Sequence, residues 1–347
     1  MQYRPLGQTD LKVSLICLGT MTWGQQNTQA DGFAQMDYAL EHGINFFDTA
    51  ELYSIPPKAE TYGSTETIIG NWFKARGKRD QIVLASKVVG PGADWIPHIR
   101  HGQTRLDRKN IEAALHASLQ RLQTDYLDLY QLHWPDRHTN FFGRLGYQHQ
   151  PDDHPIAIEE TLDVLNDLVK AGKVRHIGVS NETPWGVTRF LRASETHDWP
   201  RLVSVQNPYS LLNRSFEIGL AEIAMREQVG LLAYSPTGFG VLSGKYLHGQ
   251  QPPGARISLW PNYSRYTNPQ AIAATQAYVE LANQYELDPV QMALAYVNSR
   301  DFVTSTIIGA TSMSQLISNI ASAELVLSPY VLQAIEAIHT QHPNPSP

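Results

Sequence analysis

The hydrophobic positions of this chain follow two alternating patterns. Short apolar runs at 15–19, 44–48, 82–87, 127–133, 174–180, 202–207, 230–235 and 304–308 are apolar on both faces and β-rich, as strands covered on both sides should be. Between them lie stretches of helical period, at about 31–42, 64–76, 107–122, 157–171, 185–195, 215–227, 287–299 and 312–322. Several carry start signals. Asp107 precedes Arg108-Lys109-Asn110, Ser215 precedes Phe216-Glu217, and Pro289 follows Asp288 in a first turn. Gly43, Gly77, Gly172 and Gly230 stand where helices should stop. Eight strands alternating with eight helices predict an α/β fold, a (β/α)8 TIM barrel, with a doubly wound open sheet as the alternative.

The remaining segments qualify that picture. Residues 2–14 read as a β-hairpin with its turn at Gln8-Thr9-Asp10. Three connections are too long to be plain barrel loops: 88–106, 134–156 and 235–285, the last with a helical stretch near 269–284. All three leave C-terminal strand ends, where barrel sites are built. A last amphipathic stretch at about 328–341 precedes a proline-rich tail, 342–347, expected to be loosely ordered. The whole chain, 1–347, reads as one barrel domain.

Composition narrows the function classes. A hydrophobic fraction of 42% and a charged fraction of 17% suit a globular enzyme. The net charge of −6 and the lack of a Lys/Arg-rich run argue against nucleic acid as a partner. No apolar run approaches the ~18 residues of a membrane span, and Met1–Pro5 opens no signal sequence, which points to the cytoplasm. Cys17 is the only cysteine and lies in an apolar run, so it reads as a buried, inert thiol. His98, His101, His138, His149 and His154 match no zinc-ligand spacing, so no metal is expected.

The chemistry concentrates at three strand ends. The run Asn45-Phe46-Phe47 ends in Asp48, with Tyr53 five residues on. The run 81–87 ends in Lys87, and 126–133 ends in His133. Neighbouring parallel strands, roughly 4.8 Å apart, would bring the three within roughly 10 Å of one another. Singly, each has a bland reading as a cap, a surface cation or a core imidazole. Together, on consecutive strands, they place a carboxylate where a buried lysine needs one. A tyrosine facing that lysine completes an arrangement for proton transfer to a carbonyl oxygen.

Asp48-Thr49-Ala50 with Tyr53, Ala85-Ser86-Lys87 and Gln131-Leu132-His133-Trp134-Pro135 resemble the catalytic signature of the aldo-keto reductases. The resemblance continues through Gly19-Thr20-Met21, Gly178-Val179-Ser180-Asn181, Gln206-Asn207, Ala233-Tyr234-Ser235-Pro236, Gly244-Lys245-Tyr246 and Gly309-Ala310-Thr311. It spans nearly the whole chain, and is nearest to a bacterial branch with a long insertion after the tyrosine. It implies reduction of a small-molecule aldehyde or ketone by NADPH, without a metal. Tyr53 would be the general acid, Lys87 paired with Asp48 would lower its pKa, and His133 would orient the substrate oxygen. Asp48 would also border the cofactor, as would Gly19, Thr20 and Met21. Ser180, Asn181 and Gln206 would hold the carboxamide, and Tyr234 would stack on the nicotinamide. The loop Ser235–Lys245, with Pro236, Gly238, Gly240 and Gly244, would fold over the pyrophosphate. Gly309, Ala310, Thr311, Ser312, Gln315 and Asn319 would hold the adenosine end.

Two departures from the family pattern stand out. A proline-containing insert with a second tyrosine, Tyr62, separates Tyr53 from Gly63-Ser64, and Ser312 occupies a position where a basic residue is common. NADPH is still expected over NADH, because Lys245 supplies charge and Thr311, Ser312, Gln315 and Asn319 surround a helix start. Trp23 and Trp134 are expected to line an apolar substrate pocket, with Trp260 packing its own loop. Two other readings compete. One is a regulatory barrel that keeps its cofactor and serves a protein partner, as in potassium-channel β subunits. The other is a sugar-phosphate isomerase or aldolase that binds no nucleotide.

Overall fold

The computed structural model describes residues 1–144 and 146–347. A hairpin of β1 (Tyr3–Pro5) and β2 (Lys12–Ser14) opens the chain. Eight strands follow: β3 (Ile16–Gly19), β4 (Phe46–Asp48), β5 (Val83–Val88), β6 (Leu127–Leu132), β7 (Val174–Ser180), β8 (Leu202–Pro208), β9 (Gly230–Tyr234) and β10 (Val303–Ile308). They pair in chain order, all parallel, and β10 closes on β3. The helices between them are α1 (Gln29–Glu41), α2 (Ser64–Arg76), α3 (Arg108–Leu122), α4 (Ile158–Lys170), α5 (Pro184–His197), α6 (Leu220–Glu227), α9 (Pro289–Asn298) and α10 (Met313–Ala321). The loop after β9 also holds α7 (Arg256–Leu259) and α8 (Pro269–Gln284), and α11 (Pro329–Gln341) follows α10. The architecture is therefore the (β/α)8 barrel that the alternating runs predict.

Local chemistry explains the element ends. Thr28 and Asp31 form a reciprocal capping box at the start of α1. The side chains of Asp107, Asn268, Asp288 and Ser328 each accept a backbone N–H of the first turn they cap. The stretch 215–227 is not one helix: a 3₁₀ turn, Ser215–Ile218, gives way to α6 at Gly219.

Alternation along each strand divides the core in two. Cys17, Phe46, Ala85, Leu129 and Leu232 point inward, and Leu6 and Val13 of the hairpin join them, closing the N-terminal end of the barrel. Their neighbours Ile16, Leu18, Phe47, Leu84 and Leu231 face outward to the helices. A period of two carries the inward row on to Asp48, Lys87, Gln131, His133 and Tyr234 at the opposite end. The barrel interior thus ends in a floor of polar groups.

The tail departs from expectation. The Ser346 N–H donates to the Leu212 carbonyl at 3.0 Å, Asn344 Oδ1 accepts from Arg214 N at 2.7 Å, and Asn268 reaches the Pro345 carbonyl. Side-chain and backbone hydrogen bonds tie the segment down where its prolines forbid a helix.

Candidate active site

The strand registers set the site. Asp48 pairs with Gly19 on one side and Ala85 on the other, while Lys87 lies opposite Gln131 and Ser180 opposite Gln206. Lys87 is fully buried. Its ammonium donates to Asp48 Oδ2 at 2.6 Å and to the Thr49 carbonyl at 2.8 Å, and lies 3.3 Å from the Tyr53 hydroxyl. The other carboxylate oxygen of Asp48 accepts from Gln206 at 2.8 Å and from Gln131 at 3.2 Å. Burial is the largest single influence on Lys87 and lowers its pKa; Asp48 and Tyr53 together outweigh it and hold the ammonium above its ordinary pKa.

His133 completes the group. Its ring meets the Tyr53 ring edge-on at 5.7 Å. Burial, with Lys87 nearby, pushes its pKa well below 6.5, so the imidazole is neutral. Its Nδ1 has no hydrogen-bond partner among the described residues. For Tyr53 the net direction differs from the expectation. Burial raises the phenol above 10, and the lysine offsets only part of that rise. The resulting array is a protonated phenol touching a fixed ammonium, beside a neutral imidazole. Such a phenol can give up a proton to an oxygen in front of it, with the ammonium stabilising the phenolate left behind.

These groups form the floor of a cavity of about 1070 Å³ at the C-terminal ends of the strands. Small-molecule pockets run to roughly 300–1,000 Å³, so there is room for an extended ligand and a smaller one. Of the residues singled out from the sequence, Gly19, Thr20, Met21, Asp48, Tyr53, His133, Ser180, Asn181, Gln206, Tyr234, Ser235, Pro236, Gly240, Lys245, Gly309, Ala310, Thr311, Gln315 and Asn319 line it. Lys87 sits beneath the floor, and Gly238 and Gly244 are turn residues with positive φ behind the wall. At Gly19 a side chain would have to occupy space 2.9 Å from the Ile308 carbonyl, so the close approach of β3 and β10 requires glycine.

Several of these side chains are already engaged. Tyr234 donates to Asn181 Oδ1 at 2.6 Å, Asn181 Nδ2 donates to the His133 carbonyl at 2.8 Å, and the Ser180 hydroxyl donates to the Gln206 carbonyl. Ser312 caps α10, accepting the Gln315 N–H, and lies off the cavity wall. Gln315 Oε1 accepts from the backbone N–H and hydroxyl of Thr311.

The tryptophan expectation needs correction. Trp23 is fully buried, its indole N–H donating to Gln35 Oε1, and it packs in the layer between barrel and helices. Trp134 is 1% exposed, with its N–H on the Pro91 carbonyl, so it backs the wall without lining it. Trp260 packs on Tyr263 of its own loop. Beyond Tyr53, His133 and Tyr234, the aromatic lining comes instead from Trp95, Phe142, Phe239 and Tyr263. The second tyrosine is also placed: Tyr62 donates to Glu51 at 2.8 Å, away from Lys87.

Three further features had no periodic signal in the sequence. Glu51 is fully buried and ion-paired with Arg100, whose two terminal nitrogens lie 2.6 and 2.9 Å from its oxygens; it also accepts from Val89 N. Lys245 and Arg256 line the cavity with no carboxylate partner among the described residues, and burial lowers the pKa of both. Arg256 rests on the Phe239 ring at 4.9 Å. Gly240, at φ +85°, lets Lys245 fold across it: a side chain there would meet the ammonium at 2.9 Å. An arginine behind Pro252-Pro253-Gly254 carries no pattern, so only the fold reveals it.

Comparison with known proteins agrees with this geometry. The Aldo/keto reductase family model matches residues 15–340. The chain is 53% identical to Protein tas of Escherichia coli (strain K12) over 347 residues, all of both chains. It is 33% identical to the Uncharacterized oxidoreductase YrpG of Bacillus subtilis, covering 97% of this chain and 96% of that protein. It is 29% identical to a Probable voltage-gated potassium channel subunit beta of Arabidopsis thaliana, covering 99% and 98%. With the family model matched from the first barrel strand to the last helix, the chain belongs to the aldo/keto reductase family.

Proposed function

We propose that this oxidoreductase reduces an aldehyde or ketone to an alcohol with NADPH, and that Tyr53 supplies the proton. The observation that carries the reading is the continuous Asp48–Lys87–Tyr53 contact chain, 2.6 and 3.3 Å long, under a cavity that His133 also faces.

The cavity's own residues fit the cofactor. Two half-buried cations without carboxylate partners, Lys245 and Arg256, require an anion, and a diphosphate provides one. Asn181, Gln206 and Ser180 cluster beside the catalytic floor and offer amide and hydroxyl groups to a carboxamide. Tyr234 exchanges its bond to Asn181 for ring contact in that reading. When bound, the reduced nicotinamide supplies the hydride. Tyr53 gives its proton to the carbonyl oxygen, and Lys87, held by Asp48, stabilises the phenolate that results. Neutral His133 donates a hydrogen bond to the same oxygen and fixes its direction.

The expected preference for NADPH over NADH rests on the polar start of α10, whose donors suit the additional phosphate, with Lys245 adding positive charge to the same cavity. The test is turnover: purified protein, NADPH and a panel of aldehydes and ketones, following NADPH oxidation and alcohol formation together. Matched stoichiometry supports the reading. Tight NADPH binding with no turnover of any carbonyl would favour the regulatory alternative instead.

A further inference from the structure

A second cavity, of about 180 Å³, lies outside the barrel wall, where α4 and α5 cover the ends of β6 and β7. Leu132 of β6, Val179 of β7, Ile158 of α4 and Phe190 of α5 line it, together with Leu106 and Trp134. Trp134 backs the main cavity and lines this one, and Ser180 borders both. Two ties hold the space open. Asp136 accepts from Arg105 at 2.6 Å, from Leu106 N at 2.7 Å and from Ile156 N at 2.9 Å, which fixes both ends of the 134–156 loop at the rim. Arg137 binds both carboxylate oxygens of Glu182, just before α5, and covers the Trp185 ring at 4.8 Å. Trp185, 57% exposed, forms the mouth with Pro155 and Ala157. Protein interiors hold few voids larger than a water molecule, so one pinned open in this way is part of the architecture.

The polar groups on the lining are already engaged. The Thr161 hydroxyl donates to the Leu106 carbonyl and the Ser180 hydroxyl to the Gln206 carbonyl, each at 2.7 Å. Arg189 pairs with Glu159 at 2.7 Å, as Arg137 does with Glu182 and Arg105 with Asp136. Among the described residues, no buried side-chain polar atom on this lining lacks a partner. The main cavity is the opposite case, with Lys245 and Arg256 unpaired there. An ion entering the second cavity would shed its water and meet no free counter-charge. Water itself needs two to four polar partners, which these walls do not offer.

We infer that this cavity is a second ligand site, separate from the main one, and that it takes a neutral, apolar molecule the size of one substituted six-membered ring. An apolar cavity of roughly 150 Å³ accommodates benzene. At about 180 Å³, this one leaves room for one further substituent of methyl size. Trp134 and Phe190 add ring contacts that favour an aryl ligand over a saturated one.

The probe for the test is bromobenzene. Titrated into the purified protein, it should saturate one site with a Kd at or below about 1 mM, with or without saturating NADPH. In crystals exposed to it, the bromine should appear between Trp134, Val179 and Phe190. Benzoate and benzylamine carry a charge on a similar frame, and each should bind at least about tenfold more weakly. Phe190→Trp and Ile156→Trp fill the space from two different elements. Each should weaken bromobenzene by about tenfold or more, and an unchanged or raised Tm shows that the variant is folded. Bromine found only in the main cavity, displacement of the probe by NADPH, or charged analogues that bind as tightly would each overturn the assignment. So would wild-type affinity in both variants, or a crystal signal without saturable binding in solution. None of the binding measurements needs turnover, so failure of the reductase reading would leave this site standing, and the reverse holds too.

Discussion

Two tyrosines compete at the residue scale, and contact separates them. Tyr53 touches the buried ammonium, whereas Tyr62 spends its hydroxyl on Glu51. Tyr53→Phe should therefore retain NADPH binding and lose ~10²–10⁴-fold in kcat, the usual worth of a general acid. Tyr62→Phe should cost a few-fold at most; steady-state kinetics on a substrate limited by chemistry would expose a reversal. The pH profile follows from the same environment. Tyr53 must be protonated to act, and burial raises its pKa above 10, so the active form persists until pH rises past that value. His133 is already neutral at 6.5 because its pKa is depressed. The kcat/KM for reduction should run flat from about pH 6.5 to 10 and fall above it. Stability moves on the acid side instead. Unfolding lets His133 take up a proton, so its contribution is present above 6.5 and is lost as pH drops further. Chemical denaturation at a series of pH values would show that decline, and a bell centred near 7 in kcat/KM would contradict the assignment.

Among the elements, the Glu51–Arg100 pair gathers three loops. Glu51 pairs through its own N–H with the Lys87 carbonyl and through its carboxylate with Val89 N, extending the β4–β5 contact beyond the strands. Arg100, from the loop that carries Trp95, and Tyr62, from the insert, close on the same carboxylate. Arg100→Met removes the cation and leaves Glu51 buried without its main partner. Breaking a buried pair in this way costs about 3–5 kcal/mol, and urea unfolding should register it. A change below about 1 kcal/mol would mean that Glu51 finds another donor. The substitution should also raise KM for bulky substrates more than for propanal, because the wall loop loses its anchor.

For the whole molecule, the prediction concerns the cofactor, whose site draws on β3, β7, β8, β9, the long loop after β9 and the start of α10. Binding to the folded state alone at a hundredfold excess over Kd adds about 2.7 kcal/mol, visible as a rise in Tm. NADPH should give a larger rise than NADH, and a higher kcat/KM; equal values for both would refute the preference. The barrel was legible in the sequence because each strand must be apolar on both faces and each helix on one, and that requirement is written residue by residue. Asp48, Lys87 and His133 were legible for a related reason: each closes an apolar run at a strand end, so counting strands places them together. Trp23 and Trp134 were misplaced because an indole near a strand end turns either inward or outward, and only the packing of Gln35 and Pro91 around it decides. Trp95, Phe142 and Arg256 lie in loops without periodicity, whose course is set by distant contacts. The same holds for the tail, which Leu212 and Arg214 fasten. Periodic short-range burial is encoded locally, so the sequence alone determined the frame and the polar floor of the cavity. The walls of the pocket depend on which distant segments meet, and only the tertiary structure decided those.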